Sequence, residues 1–404
     1  MATNETPPPA QPFATEEGAA DAHLPEGSPP GPWRLLDRLV VLAFALVLVV
    51  PGALLAIGVR AAQVENRAPR PFPKLTVTGL LDADWPAGVD GFLTDHLAPR
   101  PYAIRVRGEA FWLAGGTGNP DVLRGGDDWL FIRDEFQPEC DFSGAQQRAA
   151  LQRADRAFAD AGIDFRLLLI PDKHAIYPDR APTGLPFPPS CEDTGRPEIE
   201  QAAAELHGRL VDPRAAMTAA RAAPGAPDLY WSMDTHWSPA GAVIGIGELV
   251  RSLGPDLWSD ADVVERGKLR RVMDSARLVG LRRVAITPKL VTRPSVEQHR
   301  SDVDVPVSVR NARTVFRITC SGDRPLLPGR TLVVYDSFFG IDASLVAPYF
   351  EDTTWVHVGD MTQHPELGSI LGPFDRVIVE RVERGFFATD IDAIVEALTG
   401  DAAG

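Results

Sequence analysis

The run Asp234-Thr235-His236-Trp237-Ser238-Pro239 places a carboxylate two residues before an imidazole and just ahead of a helix start. Ser238 is a good N-cap and Pro239 suits the first helical position, so Asp234 and His236 are expected on the loop entering that helix. In an extended segment residues i and i+2 point to the same side. The carboxylate can then hold one ring nitrogen and leave the other free as a base, which is the orienter-and-base part of a hydrolase triad. Two plainer readings fit the same residues: a pair of metal ligands, or a capping loop around a buried histidine. No third ligand with suitable spacing is evident, and Cys140, Cys191 and Cys320 are too scattered for a zinc site.

A nucleophile stands later in the chain, at Ser337. Thr331 to Tyr335 reads as a buried strand, Asp336-Ser337-Phe338-Phe339-Gly340 as a sharp turn, and residues 341–350 as a helix. Such a turn presents a hydroxyl at the C-terminal edge of a sheet, near the positive end of a helix. The backbone N–H groups that follow are candidates for part of an oxyanion hole. Asp-Ser before a helix is also ordinary capping. Its pairing with Asp234 and His236 makes the signal more specific.

The elements that must position these groups follow from pattern. A net charge of −15 excludes a broad basic nucleic-acid surface. Leu39 to Val59 is uncharged and long enough to span a bilayer; a buried core helix is the alternative. Residues 1–34 read as a disordered tail, 35–60 as the anchor, 61–81 as a linker stiffened by Pro69, Pro71 and Pro73, and 82–404 as the main domain. Arginines flank both ends of the apolar run, so charge does not set its orientation. Cys140 and Cys191 lie in loop-like stretches, either as a disulfide of an oxidising compartment or as two unrelated thiols.

Helical periodicity runs over residues 82–113, and Ser143 caps a helix reaching Ala161. Phe165 to Ile170 is a strand ending at Pro171-Asp172-Lys173. A helix over 196–222 leads to a strand at Leu229-Tyr230-Trp231, and another helix covers Ser238 to Leu253. Residues 260–325 are irregular apart from strands at 284–287 and 314–319. Strands at 354–358 and 376–379 and a helix at 390–398 close the chain. Strands alternating with helices predict an α/β fold with a mostly parallel sheet, whose ligands sit at the carboxyl ends of strands. Asp172-Lys173, Asp234-His236, Asp336-Ser337 and Glu380-Arg381 each follow a predicted strand and are expected on one edge. Trp129, Tyr230, Trp231 and Trp237 are either sugar-stacking or packing aromatics.

From about Arg70 onward the chain resembles the alginate O-acetyltransferase-like family of SGNH-hydrolase-like proteins. The resemblance rests on residues 95–100, Gly125 to Phe131, Pro171 to Pro178, Asp234-Thr235-His236-Trp237, Asp274 to Leu281 and the Ser337 turn. It departs from the family pattern at Asp128 and at Met273-Asp274-Ser275. The resemblance implies a flavodoxin-like three-layer α/β/α fold with permuted motif order, preceded by one transmembrane helix. It implies Ser337 as nucleophile, His236 as base and Asp234 as orienter, with no cofactor and no metal. Trp237, Lys173 and Arg381 are the expected substrate contacts. The implied reaction is O-acetyl transfer to an exported or cell-surface polysaccharide, with acetyl supplied through a polytopic membrane acyltransferase and the catalytic domain outside the cytoplasm. A carbohydrate acetylesterase with the same triad and a non-catalytic polysaccharide-binding scaffold are the alternatives.

Overall fold

The computed structural model describes residues 32–61, 69–74, 84–184, 187–305 and 315–400. The predicted tail falls outside them up to residue 31, as does much of the predicted linker. The chain divides into two compact units, one of residues 1–63 and 69–100, the other of residues 64–68 and 101–404.

In the first unit, α1 (Pro32–Ala56) is one continuous helix with Pro51 inside it. It starts earlier than the predicted anchor and absorbs the last residues assigned to the tail. Its large apolar side chains, Leu39, Val41, Phe44 and Val47 among them, are exposed. At 1.5 Å per residue it is about 37 Å long, enough to cross a hydrocarbon core. Phe72 of the proline-rich stretch packs edge-on against Trp85 and Phe92 of α2 (Asp84–His96), with ring centroids 6.4 and 5.2 Å apart.

The next helix, α3 (Arg100–Leu113), belongs to the second unit from Pro101 onward. The core of that unit is a seven-stranded sheet. The strands are β3 (Asp164–Ile170), β4 (Leu210–Val211), β7 (Glu297–Asp302), β8 (Phe316–Ser321), β9 (Leu327–Tyr335), β10 (Phe350–His357) and β11 (Arg376–Val382), in the order β4-β3-β11-β9-β10-β8-β7. The first five in that order are parallel; β8 and β7 add antiparallel pairs at one edge. Side chains alternate across it. Leu168, Ile170, Val333, Tyr335 and Ile378 join one core with α6 (Pro239–Leu253). Leu167, Leu169, Leu332, Val334 and Val377 join a second core under α4 (Gly144–Asp160), α5 (Cys191–Glu205) and α8 (Ile391–Thr399). The three-layer α/β/α arrangement with a mostly parallel sheet is therefore as expected.

Several elements differ. The predicted helix over 196–222 is broken: α5 ends at Glu205, β4 intervenes, and a short helix covers Arg214–Arg221. Leu229 to Trp231 is not a strand; it carries an isolated bridge between Tyr230 and Trp237. The helix after β9, α7 (Ser337–Val346), starts at Ser337 itself because Asp336 caps it, and residue 350 already begins β10. The stretch assigned as irregular holds β5 (Val263–Val272), paired with β6 (Val284–Thr292) on either side of an irregularity between Glu265 and Lys268, in a separate two-stranded ribbon. β5 escaped detection because its residues are mostly exposed and charged, with no apolar alternation to mark it.

Cys140 and Cys191 are disulfide-bonded with Cα atoms 5.9 Å apart, while Cys320 is free. Bridging residues 51 apart removes chain entropy worth on the order of 2–4 kcal/mol. Alkylating the denatured, unreduced protein should label one cysteine, and prior reduction should raise this to all three. The Cys140→Ser/Cys191→Ser variant should unfold at lower denaturant concentration. Three labelled cysteines without reduction would contradict the bridge.

Candidate functional site

The loop from Leu229 to Ser238 is built by its own backbone. Trp231 N–H donates to His236 O and Ser238 N–H to Leu229 O. Ser238 caps α6, and Gly241 in its first turn is required because a Cβ there would lie 2.2 Å from Leu229 O. Leu130 N–H from β2 (Leu130–Ile132) donates to Ser232 O. Lys173 completes the brace. It is wholly buried, and its ammonium donates to Asp234 O at 2.8 Å and to Leu130 O. Burial pushes its pKa down.

On this loop Asp234 and His236 meet as their spacing predicts. His236 Nδ1 donates to Asp234 Oδ1 at 2.8 Å, and the His236 backbone N–H donates to the same oxygen at 3.1 Å. Asp234 is fully buried and shared. Arg271 Nε donates to Oδ2 at 2.9 Å, its terminal nitrogen to Oδ1 at 3.1 Å, and Asp274 N–H to Oδ2 at 3.0 Å. Burial opposes the charge on Asp234, but the hydrogen bonds from His236 and Arg271 outweigh it and hold the carboxyl below its usual range. A second carboxylate, Asp274, stands 3.2 Å from His236 Nδ1 and accepts from the Thr235 backbone at 2.7 Å and hydroxyl at 2.6 Å. Burial alone would depress the pKa of His236, yet hydrogen bonds to Asp234 and Asp274 raise it above 6.5. The far nitrogen, Nε2, is buried and has no hydrogen-bond partner.

Ser337 is exposed at the first position of α7, directly after β9. The next residue, Phe338, packs its ring on His236 with centroids 5.0 Å apart. The two elements are thus neighbours, although Ser337 does not hydrogen-bond Nε2. Asp336 is the cap: its Oδ1 accepts from Phe338 N–H and its Oδ2 from Val382 N–H, both at 2.9 Å. Phe338 N–H is therefore taken, which removes the first backbone donor after Ser337 from the expected oxyanion hole.

The three residues expected to contact substrate each have partners within the protein. Trp237 is buried, donates to Asp342 at 2.6 Å and packs against Phe338 and Phe339. Lys173 is the loop brace. Arg381 bonds Thr389 at 2.8 Å and Gly385 O at 2.6 Å, and lies 3.4 Å from Asp336. These groups are committed to the protein itself. Tyr230 is likewise core, and Trp129 packs on Tyr177. Sequence reasoning missed Arg271 altogether, and quoted Asp274 without a role; nothing local marks Arg271 in a run of exposed charges.

Asp234, His236 and Asp274 bring ligand atoms within 4.8 Å of one another, the geometry of a possible metal site. The Arg271 guanidinium already spans both oxygens of Asp234 and lies 3.1 Å from His236 Nδ1, so a cation would have to displace it. The arrangement favours proton chemistry at Nε2 over metal binding.

Residues 122–313 match the family described as SGNH hydrolase-like domain, acetyltransferase AlgX. That span holds Asp234, His236, Arg271 and Asp274; Ser337 lies beyond it. A probable alginate O-acetylase AlgJ of Azotobacter vinelandii is 25% identical over 161 residues, 38% of this chain and 40% of that protein. Its Pseudomonas aeruginosa counterpart is 29% identical over 149 residues, 35% of this chain and 37% of the relative. The chain thus spans about two fifths of the length of the curated relatives it matches. The O-acetyltransferase domain of Pseudomonas putida AlgJ aligns over 70% of this chain and all of that one, with TM-score 0.40 and 17% identity. Residues 122–313 are thus similar to the SGNH hydrolase-like domain of acetyltransferase AlgX, and part of the chain is similar to the alginate O-acetylases AlgJ.

Proposed function

We propose that this chain is an O-acetyltransferase that moves an acetyl group through an acetyl-Ser337 intermediate to hydroxyls of an exported or cell-surface polysaccharide. The observation that carries the reading is the state of His236: Nδ1 is held by Asp234 while Nε2 is left free and faces no competing donor. In the first half-reaction Nε2 takes the Ser337 hydroxyl proton as Oγ attacks the acetyl carbonyl. The donor's leaving group departs with that proton. In the second, Nε2 deprotonates a sugar hydroxyl, whose oxygen attacks the acetyl carbon, and Ser337 Oγ leaves with the proton. Asp234 stabilises the imidazolium each time. Arg271 and Asp274 are positioning residues, since both act through Asp234 or His236.

Membrane attachment fits α1, which is long, apolar and exposed on its side chains. In this reading the second unit works outside the cytoplasm, where the Cys140–Cys191 bridge persists. Acetyl reaches it from a polytopic membrane acyltransferase.

Ser337 is exposed, so Ser337→Ala should leave the fold intact and cut acetyl transfer from an activated ester by several orders of magnitude, as triad nucleophiles do. Transfer is read as acetylated glycan and hydrolysis as free acetate. A folded Ser337→Ala protein with wild-type turnover would remove Ser337 from the mechanism, and acetate alone with every glycan acceptor would favour an esterase.

The pH profile gives a second test. His236 must be neutral to act as a base, so kcat/KM should rise with pH through its folded pKa, placing the acid limb above 6.5. Asp274→Asn removes one carboxylate that holds the imidazolium, which should move that limb to lower pH, and chelators should leave the wild-type profile unchanged. An unmoved limb would mean that it does not report His236.

A further inference from the structure

The β5–β6 ribbon carries a charge that the proposed reaction does not use. Between residues 266 and 289 eight side chains are Lys or Arg and one, Asp274, is acidic, in a chain of net charge −15. Directly paired residues of an antiparallel ribbon share a face. The pairs Leu269 with Thr287 and Arg271 with Ala285 set one face, through which Arg271 reaches Asp234. The pairs Lys268 with Pro288, Arg270 with Ile286 and Val272 with Val284 set the other. On that second face Ile286 is 63% exposed, Val272 40% and Val284 36%. Lys268 and Arg270 make no ion pair among the described residues, and neither do Arg266, Arg282 and Lys289 nearby.

We infer that this outer face docks on the anionic headgroup surface of the membrane. Cations interleaved with exposed aliphatic side chains are the composition of an interfacial element: the charges meet the headgroups and the aliphatic groups enter the boundary beneath them. The face has no aromatic ring and no hydrogen-bonding side chain apart from its cations, which fits a lipid surface better than a sugar chain. The inference rests on reading α1 as a membrane anchor, which tethers the chain to a bilayer. Because Arg271 lies between Arg270 and Val272, docking would also steady the strand that holds Asp234.

The test is hydrogen–deuterium exchange of the full chain in lipid nanodiscs, one set of phosphatidylcholine alone and one with about a third phosphatidylglycerol. Amides of residues 263–292 should exchange more slowly in the anionic discs, and high salt should abolish the difference. Lys268→Glu/Arg270→Glu should reduce that protection by about tenfold. Equal exchange in both discs would overturn the inference. So would protection produced by soluble polyuronate but not by anionic lipid, which would assign the face to a polymer. Failure of the chain to copurify with either disc would instead contradict the anchor, and this inference with it.

Discussion

A carboxylate with no access to water has to be neutralised where it stands, and in this protein that group is Asp234. Burying an unpaired charge costs several kcal/mol even after the protein relaxes. Asp234 meets this with five hydrogen bonds: two from Arg271, one from the His236 ring, and one each from the backbones of His236 and Asp274. The donors come from separate elements. The β5–β6 ribbon delivers Arg271, the short turn at Asp274–Leu278 delivers its N–H, and Lys173 holds the carbonyl of Asp234 from below. The site is thus the meeting point of a sheet edge and a ribbon outside the sheet.

The same logic repeats on the serine side. Asp336 is buried at the end of β9 and accepts from two backbone N–H groups and, more distantly, from Arg381. Burial, and after it the charge of Asp336, pushes the pKa of Glu380 well above the usual carboxylate range. Its Oε2 nevertheless takes the Asp336 N–H at 2.9 Å. Two buried carboxyl groups therefore fix the first turn of α7 and leave Ser337 exposed in front of it. The histidine side and the serine side are each over-determined, and Phe338 against His236 is the ring contact between them.

How much of this could be read from residues alone varied with locality. Asp234 and His236 were legible because their relation is set by two-residue spacing and a nearby N-cap, both local. Ser337 at the end of a buried strand was legible for the same reason, though not the exact start of α7, which depends on Asp336 capping through tertiary burial. The alternating sheet and its two cores followed from apolar runs. Arg271 was not legible. It sits in a charged ribbon whose strand character comes from pairing with β6 rather than from its own pattern, and its partner is 37 residues away. Lys173 and Trp237 were expected to contact substrate, and their burial against protein partners was not legible because burial is a property of the assembled fold.

The central claim is that His236, oriented by Asp234, makes Ser337 the acyl carrier. It is tested most directly by reacting the full chain with an activated acetyl ester, quenching in acid and mapping the acetylated peptide by mass spectrometry. The account predicts an acetyl group on Ser337 in the wild type and little or none after Asp234→Asn. An acetyl group on another residue, or equal labelling of Ser337 in the Asp234→Asn protein, would contradict it.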